Sequence, residues 1–178
     1  MSIEALRAQL PAYAKAMARN LEVLTAETVL DEAAKWSCFV ASACATGETE
    51  TLRAVTVAAR EAGLSPEAFE DARTAAATMA MTNVYFHAVH LMTAPEYENL
   101  PARLRYGRDH STIYELCCVA VSAINGCGPC LDSHEAELRR RGVEPVQIQA
   151  ALRIAAVVHA VGKTLAIEFP DRPQFSGV

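Results

Sequence analysis

Aromatic side chains are scarce here, at 6% of 178 residues, although 52% of the chain is hydrophobic and much of that is alanine. Few β-favouring aromatics and abundant alanine, the best helix former, count against sheets and for closely packed helices. Strand-like alternation is missing along the whole chain. No stretch rich in Pro, Gly or Ser divides it, so a single domain over residues 1–178 is expected. Long runs of Lys or Arg are also missing and the net charge is −5, which argues against nucleic acid or an anionic membrane as partner. The one basic cluster, Arg139-Arg140-Arg141, ends a predicted helix, where positive charge suits the dipole, and reads as a solvated helix end. The stretch Met1 to Arg7 lacks the basic-then-apolar layout of a signal peptide. No uninterrupted apolar run reaches the roughly 18–20 residues of a membrane span. The expectation is a soluble, cytoplasmic protein.

Cytoplasmic thiols are kept reduced, so the six cysteines are not read as a structural framework. Cys38, Cys44, Cys117 and Cys118 lie in apolar helical patterns and are expected to be buried and inert. Cys127 and Cys130 alone share a turn-like segment.

A weak internal repeat organises the chain. Ala41-Ser42-Ala43 recurs as Val121-Ser122-Ala123, and Cys38 matches Cys118 at the same offset. The stretch from Arg60 to Pro66 recurs from Arg139 to Pro145 as R-x-x-G-[LV]-x-P, at an offset one residue shorter. The pattern predicts two related helical halves, about 25–95 and 105–170, within one unit. Gly63 and Gly142 fall where C-terminal caps belong, and Pro66 and Pro145 near the first position of the next helix. Ile113, Leu116, Cys117, Ala120, Val121 and Ile124 follow the spacing of a buried helical stripe, which Asn125-Gly126 breaks. A helix restarts over 128–141, and 145–168 reads as a central core helix.

The chemistry concentrates between Glu115 and His134. Two thiols three residues apart at a helix start can close a small disulfide and reopen it. Helix N-terminal amides and the macrodipole lower a thiol pKa there. His134 follows Cys130 by one helical turn and can hold the proton that the thiol gives up. Glu115 enters by geometry: in an antiparallel hairpin bending at Asn125-Gly126, Glu115 and His134 each lie roughly 12–15 Å from the bend. They should meet, with Cys130 nearer the bend, giving a Glu–His–Cys proton relay.

Other readings compete. The cysteine pair with His134 could hold a structural zinc, with Cys117, Cys118 or His159 as fourth ligand, although a second C-x-x-C or H-x-H spacing is missing. Glu115 could simply face solvent. His87 and His90 are neighbours on one helix face, but packing is the simpler role for them. His159 reads as a hydrogen-bonded core residue, and Trp36, Met79, Met81 and Met92 read as core. Cys-Gly-Pro-Cys is also the redox motif of thioredoxins, which present it after a β-strand; here the preceding residues are helical in period.

The assembled pattern, Glu115 with Cys127, Cys130 and His134 in a helical frame, resembles the alkyl hydroperoxidase D (AhpD) family of the carboxymuconolactone decarboxylase-like superfamily. The resemblance runs from Leu10–Lys15 to the final helix and is densest over Val121–Cys127. It implies an all-α, two-repeat subunit assembling as a homotrimer, with no cofactor. It implies reduction of alkyl hydroperoxides and of the oxidised alkyl hydroperoxide reductase C peroxiredoxin. Electrons would arrive from a dihydrolipoamide-bearing acyltransferase and lipoamide dehydrogenase. By resemblance Cys130 is the peroxidatic cysteine and Cys127 resolves it, with Glu115 and His134 as relay. Carboxymuconolactone decarboxylases lack the cysteine pair, which argues against their activity. The family often has His just before the second cysteine, where this chain has Pro129. A non-enzymatic helical module, sensing redox state or holding zinc, is the alternative.

Overall fold

Capping residues written into the sequence set the helix boundaries. The computed structural model describes residues 1–94, 96–107 and 111–172, the side chain of Glu98 excepted. Residues 173–178 of the 1–178 reading, and residues 95 and 108–110 within the expected halves, lie outside the described residues. The helices run α1 (Ile3–Ala8), α2 (Lys15–Ala26), α3 (Glu32–Thr46), α4 (Thr49–Glu61), α5 (Pro66–Leu91), α6 (Glu96–Asn99), α7 (Thr112–Asn125), α8 (Gly128–Arg140) and α9 (Pro145–Glu168). A short 3-10 turn, Ala12–Ala14, leads into α2. Among the described residues there is no strand, so the fold is all-α.

Side chains of Ser2, Asp31, Ser65 and Ser111 accept amide hydrogens at the starts of α1, α3, α5 and α7. Pro66 and Pro145 open α5 and α9, where a missing N–H costs nothing. The helices come in two matching runs. α3, α4 and α5 have 15, 13 and 26 residues, and α7, α8 and α9 have 14, 13 and 24. The left-handed caps Gly47 and Gly126 stand as far apart in sequence as Pro66 and Pro145 do. The one-residue gap expected between the two blocks therefore falls within α3 and α7, before these caps.

α3, α5, α7 and α9 pack on one another at the centre, with α4 and α8 outside them. Tyr114 to Ser122 are all buried, so α7 is covered on every face. α3 is nearly as enclosed, and Phe39 is the largest fully buried side chain. Lys35, 3% exposed, donates to the carbonyls of Thr25 and Glu27 and to Glu32, tying the end of α2 to α3. α9 is the one described helix long and apolar enough to cross a membrane, but half of its apolar window is buried within the protein. That burial is what a core helix shows.

Two readings of methionine need correction. Met79 is core at 4% exposure, but Met81 and Met92 are 40% and 47% exposed. The apolar residues of α5 are spread over several of its faces, and one side of the helix packs on α3 and α7. Apolar character therefore could not say which face was inside.

Candidate active site

α7 and α8 form the antiparallel hairpin that the sequence predicts. Gly126, at φ 71°, adopts the left-handed conformation that glycine tolerates best. Its N–H bonds the Ala123 carbonyl and the Cys127 N–H bonds the Ser122 carbonyl at 3.0 Å, a Schellman closure of α7. Cys127 is at once the residue that completes α7 and the N-cap of α8. Its side chain is thereby fixed at the helix start, one turn from Cys130.

Cys127 and Cys130 are joined by a disulfide; Cys127 is fully buried and Cys130 is 6% exposed. One turn on, His134 Nδ1 lies 2.7 Å from Glu115 Oε2. An ionised carboxylate only accepts, so Nδ1 carries the hydrogen and Nε2 is left as the free basic atom. Glu115 is buried at 8% exposure, not solvent-facing. The hairpin geometry thus brings these two residues into direct contact.

Cys130, Glu115 and His134 open onto a cavity of about 530 Å³ that also touches Pro129, Met79, Phe86, Tyr106 and Tyr114. Thr78, Thr82 and Ser133 add hydroxyls to its wall. Burial pushes the Tyr114 hydroxyl pKa up. Arg140 and Arg141 reach the rim, where both grip Glu137. Those bonds, Arg140 first, hold the Glu137 carboxyl down at about 2. The basic cluster is therefore more than a solvated helix end, since two of its members border the site.

The remaining thiols have different surroundings. Cys38, Cys117 and Cys118 are fully buried. Burial pushes the Cys117 and Cys118 thiols up, and the nearby Glu115 charge adds to the effect at Cys118. Cys44 is only partly buried; burial raises it and Arg73 opposes that rise. His87 is half-buried, with its Cε1 4.0 Å from where a Cβ on Gly126 would be, whereas His90 is exposed. His159 departs from its expected role: it is half-buried and its Nδ1 has no hydrogen-bond partner. Burial, then the Lys163 charge, lowers its pKa. Among the described residues no three His, Cys, Asp or Glu side chains converge as a metal site would need.

Sequence reasoning missed three of the α5 residues that meet this hairpin, Thr82, Asn83 and Phe86. The polar pair Thr82-Asn83 interrupting an alanine-rich helix was the available signal.

Fold and site together define an all-helical protein with a C-x-x-C disulfide and a carboxylate–imidazole pair at one cavity. Residues 111–168, which span this hairpin and α9, match the Carboxymuconolactone decarboxylase family. Over 98% of each chain, the sequence is 63% identical to the alkyl hydroperoxide reductase AhpD of Caulobacter vibrioides. It is 51% identical to the protein of that name from Maricaulis maris, over 94% of this chain and 99% of that one. For the one from Hyphomonas neptunium the identity is 49%, over 94% and 96%. The chain belongs to the AhpD family of antioxidant redox enzymes, within the carboxymuconolactone decarboxylase-like superfamily.

Proposed function

We propose that this protein reduces alkyl hydroperoxides, regenerates the oxidised alkyl hydroperoxide reductase C peroxiredoxin, or does both, through the Cys127–Cys130 dithiol. The observation that carries the reading is the Glu115–His134 pair at 2.7 Å on the cavity that Cys130 lines. In the reduced enzyme, His134 Nε2 takes the Cys130 proton and Glu115 stabilises the resulting imidazolium. The Cys130 thiolate attacks the peroxide oxygen, the O–O bond breaks, and His134 returns its proton to the departing alkoxide. Cys130 is then a sulfenic acid and the product an alcohol. Cys127 attacks that sulfur, water leaves, and the disulfide forms. Two thiols are oxidised for each hydroperoxide reduced.

With a peroxiredoxin disulfide as substrate, the same dithiol acts by exchange and ends in the same Cys127–Cys130 bond. Dihydrolipoamide on an acyltransferase, itself re-reduced by lipoamide dehydrogenase, is the proposed electron source. The setting is cytoplasmic, and the chain acts as a single domain of two related halves, assembled as a homotrimer.

Titration of the reduced protein with cumene hydroperoxide tests the reading. One equivalent should remove two thiols, with Cys130→Ser inert and Cys127→Ser halting at a sulfenic acid that dimedone traps. Unchanged thiol content after peroxide, together with failure to reduce a peroxiredoxin disulfide, would rule the function out.

A further inference from the structure

At the end of α7 that leads into the dithiol, α5 and α7 are joined by a buried polar cluster. Ser122 and Asn125 lie one turn apart on the last turn of α7, and Asn83 of α5, 2% exposed, bonds both. Its Nδ2 donates to Ser122 Oγ at 3.0 Å, and its Oδ1 accepts from Asn125 Nδ2 at 2.9 Å. Ser122 Oγ donates on to Met79 Sδ at 3.4 Å, so no polar atom of the Asn83 side chain is left over. The Ser122 carbonyl receives the Cys127 N–H. Asn83 thus holds the turn from which Cys127 hangs, on both sides of its closing hydrogen bond.

The other half of the molecule supplies an internal control. Counted from the caps Gly47 and Gly126 and from Pro66 and Pro145, Gly162 stands where Asn83 does. Thr46 stands where Asn125 does, and Ser42, matched to Ser122 by the repeat, where Ser122 does. There α9 crosses the end of α3 so closely that a Cβ on Gly162 would run into the Thr46 side chain. The residue after Gly47 is Glu48, which caps α4 with its carboxylate, and no dithiol is present. Gly162 has no side chain to bond either residue, so where no dithiol depends on it this crossing is closed by direct contact of α9 with Thr46 and Glu48 and not by an amide bridge. A buried amide–hydroxyl network carries a desolvation cost, and this fold closes the equivalent crossing without one.

We infer that Asn83 is a positioning residue for the redox centre: with Ser122 and Asn125 it holds the α7–α8 turn so that the Cys127 sulfur stays within bonding reach of Cys130. The inference rests on the reading that this dithiol cycles. Loosening the turn lowers the effective concentration of Cys127 at the Cys130 sulfur and leaves the surroundings of Glu115 and His134 in place.

The test is glutathione equilibration of wild type, Asn83→Ala, Ser122→Ala, Asn125→Ala and Gly162→Ala, with dimedone trapping after peroxide. Asn83→Ala should shift the equilibrium about tenfold toward the dithiol, a rise of about 30 mV in potential. It should also let dimedone trap a Cys130 sulfenic acid that wild type does not accumulate. Ser122→Ala and Asn125→Ala should each shift the equilibrium in the same direction, which keeps the test decisive if Asn83→Ala folds poorly. Gly162→Ala, at the equivalent crossing, should lower stability without moving the equilibrium. Asn83, Ser122 and Asn125 variants that all stay within twofold of wild type would overturn the inference, as would an equal shift in Gly162→Ala. Wild type that equilibrates with glutathione but spares peroxide and peroxiredoxin would refute the proposed function, leaving the inference to the glutathione comparison. Wild type that forms no Cys127–Cys130 bond would overturn both.

Discussion

Glu115 sits on a helix with no wet face, so its carboxylate has to find a partner inside the protein. His134 is that partner, and the proposed relay makes both residues necessary for turnover. Glu115→Gln and His134→Ala should each slow peroxide reduction by roughly 10²–10⁴-fold while the protein stays folded, as stopped-flow thiol oxidation and circular dichroism would show. Near wild-type turnover in either variant removes that residue from the mechanism. The pairing was legible in the sequence because a hairpin matches residues by their distance from its bend. The buried thiols give a second expectation. After mild peroxide, peptide mapping should show the single Cys127–Cys130 loop, with Cys38, Cys117 and Cys118 still reduced, because all three are fully buried and out of the oxidant's reach. A bridge that includes Cys117 or Cys118 would contradict the site. His159 was misread because spacing places a residue on a helix but does not supply its hydrogen-bond partner. Burial holds its pKa below the ordinary histidine value of about 6.5, so the neutral ring is favoured in the fold. Stability should be full above pH 6.5 and fall as the pH drops below it, and His159→Gln should lose that part of the slope. Thermal unfolding of both proteins between pH 5 and 8 measures it, and identical slopes would refute the assignment.

At the scale of the element, α4 and α8 start at matching places with different chemistry. Glu48, the N-cap of α4, accepts from the Glu50 and Thr51 amides. Cys127, the N-cap of α8, has Pro129 where Glu50 stands, so one of those two amides has no hydrogen to give. A Cys127 thiolate is accordingly less stabilised, which favours the disulfide and makes a more reducing dithiol. Pro129→Ala restores the N–H, and Pro129→His adds a cation as well. Both should raise the potential by some tens of millivolts, about 30 mV per tenfold, with His the larger. Glutathione equilibration with thiolate absorbance followed against pH is the measurement, and a downward shift would assign the poise to Glu115 and His134 instead. The Gly162 crossing carries a packing prediction of its own. Gly162→Ala should cost about 1–3 kcal/mol in urea unfolding, because the new Cβ runs into the Thr46 side chain and presses on Glu48 Cβ at 3.3 Å. Caps, prolines and the starts of α5, α8 and α9 were legible here because they are local; the polar cluster around Asn83 was not, because its partners come from a helix about 40 residues away in sequence.

For the whole molecule, α5 is the element with apolar surface to spare. It exposes Val84 and Leu91 at 71% and 67% along an alanine-lined groove that reaches Val121 and Asn125, and Met81 at 40% as well. An apolar patch of this kind on a folded chain fits burial against another surface, and the proposed trimer provides one. Sedimentation at micromolar concentration should give about three times the 19.2 kDa chain mass, or a multiple of that. Val84→Asp should shift the protein toward monomer, and a wild-type monomer would count against the assembly.

The sequence by itself determined the all-α class, the starts of α5, α8 and α9, the hairpin at Gly126 and the meeting of Glu115 with His134. All of these depend on local propensity, capping and distance along one turn. Only the tertiary structure decided which face of α5 is inside, that Asn83 grips the end of α7, and that Arg140 and Arg141 border the cavity. Those depend on which helices cross and in what register, and an alanine-rich chain, apolar on several faces at once, leaves that choice to packing.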